Sequence, residues 1–402
     1  MDKYNDKIPD DVYEEQETKK NMVMERIKKA QPEVPKSPGK KGSKKKKNPA
    51  APSPVARSPA AVSPVNKRKG KTITETAEEE ISDRKFIKFI EQIAFIEKGT
   101  SLNTYYLTHL MNMVQTAKTS QAFYRNTIKN RNVDVFCIDE TRVKLMDPNI
   151  EYYIHANHVK FERLTRTYIA TQHPLTGTLN DFWAMIADQR VEVIVSLTNM
   201  NSKTDLTSFP YYFPNKPATF RNYGQFFVYC NTVTPPTTKY GSIEYKFDLV
   251  TQSNKEEKRS IRLYHYPHWA KNTVPASTKV VLDIVKRLGK RKTKTPIVVQ
   301  CESGVNQSAE LIYVDAMCNM LENGVETNFD AIFRQMRKQK LQSITQRLQF
   351  LHSIVTVLDF IKARYSPIPS ALVSQLVSSI SKDFKSQMSM EPVDDARPLK
   401  SP

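Results

Sequence analysis

The stretch Pro296-Ile-Val-Val-Gln-Cys301-Glu-Ser-Gly304-Val-Asn-Gln307-Ser308 constrains this chain more than any other. Ile297, Val298 and Val299 form a short unbroken apolar run, which predicts a buried strand. A cysteine stands at its end, a short loop containing Gly304 follows, and residues 311–321 read as an apolar helix. A buried cysteine after a core strand is commonplace by itself. Here the loop leads directly into a helix N-terminus, and that layout cradles phosphate and activates thiols.

The physics of such a site is specific. Backbone N–H groups of the loop point at the phosphate oxygens, and the helix dipole adds partial positive charge. The same field lowers the pKa of a cysteine placed there, which makes it a nucleophile. A guanidinium that grips two phosphate oxygens stabilises the transition state, and an acid on a separate loop protonates the leaving oxygen. The phosphate loop is read as Cys301, Glu302, Ser303, Gly304, Val305, Asn306, Gln307 and Ser308. Two of its members do not suit catalysis. Gln307 stands six residues after the cysteine, where the fork of charged donors is needed, and it is neutral. Glu302 brings a negative charge beside the nucleophile, where it would repel an anionic substrate if it faced the pocket.

This segment resembles the His-Cys-x5-Arg-Ser/Thr signature of the classical protein tyrosine phosphatases, with Gln300 for His, Gln307 for Arg and Ser308 retained. Further segments resemble the family in the right order. Lys129-Asn-Arg131, followed by residues 134–145, resembles the phosphotyrosine-recognition loop and the strand after it. Tyr153-Ile-His-Ala-Asn157 resembles a Tyr-Ile-Asn-Ala strand, and residues 170–175 a Thr-Gln-Gly-Pro-Leu element. Asp181-Phe-Trp183-Ala-Met185 resembles the Asp-Phe-Trp-x-Met helix, and residues 194–198 the central strand that follows. Tyr264 to Lys271 occupies the mobile acid loop, and residues 344–360 the glutamine-bearing loop and its helix. The match covers about residues 85–365, and the run Ile138-Asp-Glu-Thr-Arg-Val resembles the expanded nematode branch of the family. The resemblance implies an α/β domain of the classical tyrosine-phosphatase fold: a highly twisted mixed sheet flanked by helices. Alternating short apolar strands and helical segments point independently to α/β.

The resemblance also assigns roles, and the departures fall on them. The acid loop's Trp-Pro-Asp is Trp269-Ala270-Lys271 here, so a lysine stands at the general-acid position. Asn132 replaces the recognition-loop tyrosine that stacks on the substrate ring; Asp134 follows two residues later. Aligned on Leu348 and Phe350, the two water-positioning glutamines become Ser343 and Arg347, with Gln342 and Gln346 each one residue earlier. Phosphate clamp, acid, ring stack and water positioning fail together. The recognition-like positions are Asn132, Asp134, Trp269 and Arg347. No position is expected to support turnover, and Cys301 reads as a vestigial nucleophile.

Composition bounds the rest. The chain has 402 residues, and its hydrophobic fraction of 39% is low enough to suit long disordered ends. The expected organisation is a basic tail over 1–80, a domain over 81–365, and a C-terminal tail over 366–402. In that tail Leu372, Val373, Leu376, Val377 and Ile380 recur at helical spacing, for docking on the domain or on a partner. Cys137, Cys230, Cys301 and Cys318 show no CxxC spacing, which argues against zinc and a disulfide framework. No cofactor or metal is expected. No run of 18 apolar residues exists, so no membrane span is expected and the location reads as intracellular, cytoplasmic, or nuclear through the basic tail.

Of the formal net charge of +19, residues 31–71 carry 12 Lys/Arg against Glu33, which is +11. The runs Lys40–Lys47 and Lys67–Lys71 make residues 36–71 a candidate partner of nucleic acid or an anionic membrane, or a solubilising tail without a specific partner. Ser37, Ser53, Ser58 and Ser63 each precede a proline and are candidate phosphorylation sites. The leading expectation is a tyrosine-phosphatase-like protein without turnover, which binds or sequesters a tyrosine-phosphorylated protein or a kinase. The alternatives are an active phosphatase using Cys301 with other supporting residues, and an adaptor directed by its basic tail.

Overall fold

The structure is a computed structural model that describes residues 73–113, 118–146, 153–200, 209–238, 241–252, 254–290, 294–365 and 370–388. The chain divides into two units, residues 1–80 and 81–402; of the first, only the start of one helix is described. That helix, α1 (Ile73–Gly99), begins inside the segment expected as a tail. The basic segment 36–71 and its Ser-Pro sites lie outside the described residues.

Eight strands form one mixed sheet: β1 (Ala156–Val159), β2 (Tyr168–Gln172), β3 (Val193–Ser196), β4 (Thr219–Tyr223), β5 (Phe226–Thr234), β6 (Ile243–Thr251), β7 (Asn254–His265) and β8 (Ile297–Cys301). Their order is β1-β2-β8-β3-β7-β6-β5-β4. The four strands β2, β8, β3 and β7 run parallel to their neighbours in this order, and the pairs outside them are antiparallel. Strands β2, β3 and β8 are buried along their whole length, because helices cover both faces of a parallel core. Alternation then divides their side chains. Ile297, Val299 and Cys301 join one core and Val298 the other.

The larger core lies under α3 (Thr278–Gly289), α4 (Gln307–Glu322), α5 (Phe329–Gln339) and α6 (Arg347–Arg364). Helix α3 shows how sequence places such an element. Val280, Val281, Ile284, Val285 and Leu288 line one face, and Ser277 accepts a hydrogen bond from the Lys279 N–H at the N-cap. The opposite face of the sheet is covered by α2 (Leu179–Asp188), which buries Phe182, Trp183, Met185 and Ile186. Helix α4 is enclosed almost all round, so its polar residues need partners. Asp315 receives both Arg166 Nη1 contacts at 2.9 and 2.8 Å and the Tyr168 hydroxyl at 2.7 Å. Helix α7 (Ser370–Met388) docks on the domain itself, with Val373, Leu376 and Ile380 in the core and Leu372 and Val377 half-buried beside them.

Candidate functional site

Strand β8 delivers Cys301 to the C-terminal edge of the parallel strands, and α4 starts six residues later. Three neighbours shape the loop between them. Gly304 has φ +79°, and a Cβ there would lie 2.7 Å from the Thr171 carbonyl carbon and 2.9 Å from the Gln172 nitrogen. The glycine is therefore demanded both by conformation and by the close approach of β2. His173 N–H donates to the Glu302 carbonyl at 3.1 Å, and Ile344 N–H to the Val305 carbonyl at 2.7 Å. Asn306 accepts from the backbone N–H and the hydroxyl of Thr345 through Oδ1 at 3.1 and 2.9 Å.

The thiol is fully buried. Gly304 N–H donates to Cys301 Sγ at 3.2 Å, and Ser308 Oγ lies 3.2 Å away. Gln300 ties the strand end to its neighbours. Its Oε1 accepts from Ser196 Oγ at 2.7 Å, and its Nε2 donates to Thr198 Oγ1 at 2.6 Å. Behind the loop the buried Lys340 donates to Asn157 Oδ1 at 2.9 Å, and burial lowers its pKa. Nothing in the run Arg337-Lys338-Gln339-Lys340 marks one lysine as internal, because basic runs are normally solvated.

Residues 269–272 and 302–307 meet across the site. Gln307 is 4% exposed, and its Nε2 donates to the carbonyls of Trp269 at 3.2 Å and Ala270 at 3.4 Å. Lys271 Nζ reaches Glu302 Oε1 at 2.5 Å. Asn306 Nδ2 donates to Asn272 Oδ1 at 3.1 Å. Trp269 is buried and its Nε1 donates to the Thr273 carbonyl at 2.9 Å, which also accepts from Gln349 Nε2 at 3.0 Å. The orientation of Glu302, open in the sequence, is thus set by Lys271. The expected charge of Lys271 beside the pocket is matched by a carboxylate.

The recognition loop is held from below. Gln172 accepts the Arg131 N–H at 2.9 Å and donates to the Lys129 carbonyl at 2.8 Å. Arg131 donates to the carbonyls of His173 and Pro174, both at 3.1 Å, and its guanidinium lies 4.8 Å from the centre of the Phe209 ring. Lys129 pairs with Asp181 at 3.1 Å. Asn132 is half-exposed and Asp134 exposed. Gln342 does not serve the phosphate loop. It bridges to the recognition loop, accepting from Phe136 N–H at 3.1 Å and donating to the Asp134 carbonyl at 2.7 Å. Ser343 is buried and donates to the Lys340 carbonyl at 2.7 Å. Gln346 occupies the N-cap of α6 and bonds Thr345 Oγ1 at 3.5 Å; Arg347 follows, half-exposed. The structure thus brings Trp269, Lys271, Glu302, Asn306 and Gln307 together, and it leaves Asn132, Asp134 and Arg347 at the surrounding surface.

A second buried group escaped sequence reasoning. Glu310, in the first turn of α4, contacts His352 Nδ1 of α6 at 2.6 Å with both side chains fully buried. Burial raises the Glu310 pKa to about 7 against the opposing pull of His352. Among the described residues no group of three or more His, Cys, Asp and Glu could hold a metal, and no helix is long and apolar enough to cross a membrane.

A protein-family model described as protein-tyrosine phosphatase matches residues 126–359. Similar proteins include receptor-type tyrosine-protein phosphatase zeta of Rattus norvegicus, 28% identical over 268 residues, which are 63% of this chain and 11% of that one. The putative receptor-type tyrosine-protein phosphatase mosPTP-1 of Aedes aegypti is 29% identical over 271 residues, 63% of this chain and 20% of its own. Receptor-type tyrosine-protein phosphatase-like N of Homo sapiens is 27% identical over 297 residues, 68% and 30% of the two chains. The chain therefore spans less than a third of these relatives. The matched region runs from the recognition loop through β8 and the cysteine loop to α6, so the elements that build this site are the ones the family model describes: the chain belongs to the protein-tyrosine phosphatase family.

Proposed function

We propose that this chain is a tyrosine-phosphatase-like protein without catalytic turnover, which works by binding a protein partner, a tyrosine-phosphorylated protein or a kinase, as a scaffold or sequestering module. The observation that carries the reading is the direction of Gln307. Its amide is spent on the Trp269 and Ala270 carbonyls, so the clamp position offers the phosphate loop neither a charge nor a fork. Lys271, at the acid position, is engaged by Glu302. Losing one preorganised anion donor lowers turnover about 10²–10³-fold and losing a general acid about 10²–10⁴-fold. Together these leave about four to seven orders of magnitude less rate. The partner is engaged through the outer surface rather than the cradle.

The test uses the full chain with p-nitrophenyl phosphate and a phosphotyrosine peptide. The parent shows no turnover, and a variant carrying Gln307→Arg, Lys271→Asp and Glu302→Ser gains it. Parent turnover that Cys301→Ser abolishes would overturn the reading. A thermal melt with the phosphopeptide and its unphosphorylated twin tests the surface: no shift with either is expected, and stabilisation by the phosphopeptide alone would move the binding site into the cradle.

A further inference from the structure

The replacements at this site were read from the sequence as separate losses, but in space they are mutual partners. Glu302 and Gln307 belong to the loop after β8, and Lys271 belongs to the acid loop after β7. Glu302 pairs with Lys271 at 2.5 Å, and Gln307 holds the Trp269 and Ala270 carbonyls at 3.2 and 3.4 Å. Asn306 and Asn272 add a third link at 3.1 Å. Asn272 sits at φ +58°, a left-handed conformation that asparagine tolerates well. On its far side the acid loop is pinned through the Thr273 carbonyl, which accepts from both Trp269 Nε1 and Gln349 Nε2.

We infer that these residues form an intramolecular latch that holds the acid loop docked on the phosphate loop as the chain's resting state. The closure is held by contacts between groups of the chain itself. A loop built to protonate a leaving group must open to admit substrate and release product. This chain replaces that cycle with a fixed surface. The ion pair is a minor part of the latch, because Lys271 is 58% exposed and solvent screens it. The two Gln307 bonds are shielded, and their loss lowers the docked-to-open ratio by about tenfold. Reversing the ion-pair charge lowers it by roughly fivefold.

Trp269 and Trp183 are the two tryptophans of the chain, one in the latch and one buried under the opposite face of the sheet. Fluorotryptophan labelling of the full chain therefore reports on the loop and on the fold in one ¹⁹F spectrum. The parent is expected to show one narrow Trp269 resonance that vanadate does not move. Gln307→Ala and Glu302→Lys shift or broaden it while Trp183 stays in place, and Glu302→Lys with Lys271→Glu restores it. A Trp269 resonance indifferent to Gln307→Ala and Glu302→Lys, or a parent already split between two states, overturns the latch. If a variant also moves Trp183, amide exchange over residues 269–273 of the parent decides: protection supports the latch, and exchange at the unprotected rate refutes it. The inference concerns the same site as the proposed function but stands apart from it. A mobile acid loop in a chain without turnover would sink the latch alone, and turnover by a chain with a docked loop would sink the function alone.

Discussion

Three histidines surround the site, and each is buried in its neutral form. His155 Nε2 donates to the Val135 carbonyl at 2.8 Å, His173 Nε2 to Pro210 at 3.0 Å, and His265 Nε2 to Thr198 at 2.9 Å. The opposite ring nitrogen of each is shut off from water. Burial pushes their pKa values from 6.5 down to about 3, about 3 and about 4, with help from Lys340 at His155, from Arg131 at His173 and from His268 at His265. The folded pKa lies below the unfolded one, so the unfolded chain takes up protons that the folded chain refuses. Stability is full above pH 6.5 and is lost as pH falls. At pH 5 each histidine costs about 2 kcal/mol, about 6 kcal/mol for the three. Glu310 opposes them. Its folded pKa of about 7 lies above the ordinary 4.5, so acidification from pH 7 to 5 returns about 2 kcal/mol. The net loss of about 4 kcal/mol is a large share of the roughly 5–15 kcal/mol that holds a domain together. Urea unfolding followed by circular dichroism between pH 7.5 and 5 measures it, with an uptake of about two protons on unfolding near pH 5. The triple variant His155→Asn, His173→Gln, His265→Gln should be less stable at pH 7.5 and lose the acid slope. A parent whose stability is flat over this range, or a triple variant that keeps the slope, refutes the reasoning.

Gly304→Ala puts a side chain at φ +79° and against the backbone of Thr171, so it should cost about 2–5 kcal/mol and lower the melting temperature by roughly 5–15 °C in a scanning calorimeter; an unchanged melting temperature would mean that the loop does not press on β2. Asp315→Asn leaves Arg166 buried beside a neutral partner and should destabilise by about 3–5 kcal/mol, whereas Asp315→Leu with Arg166→Met should cost far less. Equal losses in the single and double variants, read by denaturant midpoints, would show that the pair is not coupled.

Much of the fold was legible in the chain. The apolar run before Cys301, the glycine three residues after it and the periodicity of α3 follow local rules of burial, turn geometry and helical spacing. The absence of arginine at 307 and of an acid at 271 is a matter of position, which a motif reads directly. Helix α7 was legible as a pattern, but its docking on the domain was one of two open readings until Val373, Leu376 and Ile380 were seen in the core. Gln342 and Gln346 each lay one residue from a glutamine position, and only the fold assigned the first to the recognition loop and the second to the cap of α6.

The sequence by itself determined which residues stand at positions 307, 271 and 132: a glutamine, a lysine and an asparagine. Tertiary structure decided what the replacements do. Lys271 and Glu302 are 31 residues apart, and Gln307 and Trp269 are 38 apart. They meet because β3 is hydrogen-bonded to both β7 and β8, so the loops leaving those two strands emerge at the same edge of the sheet. Periodicity records which face a residue buries, but long-range strand order decides which charges neutralise one another, and that order is what brings Gln307, Lys271 and Glu302 into one closed surface.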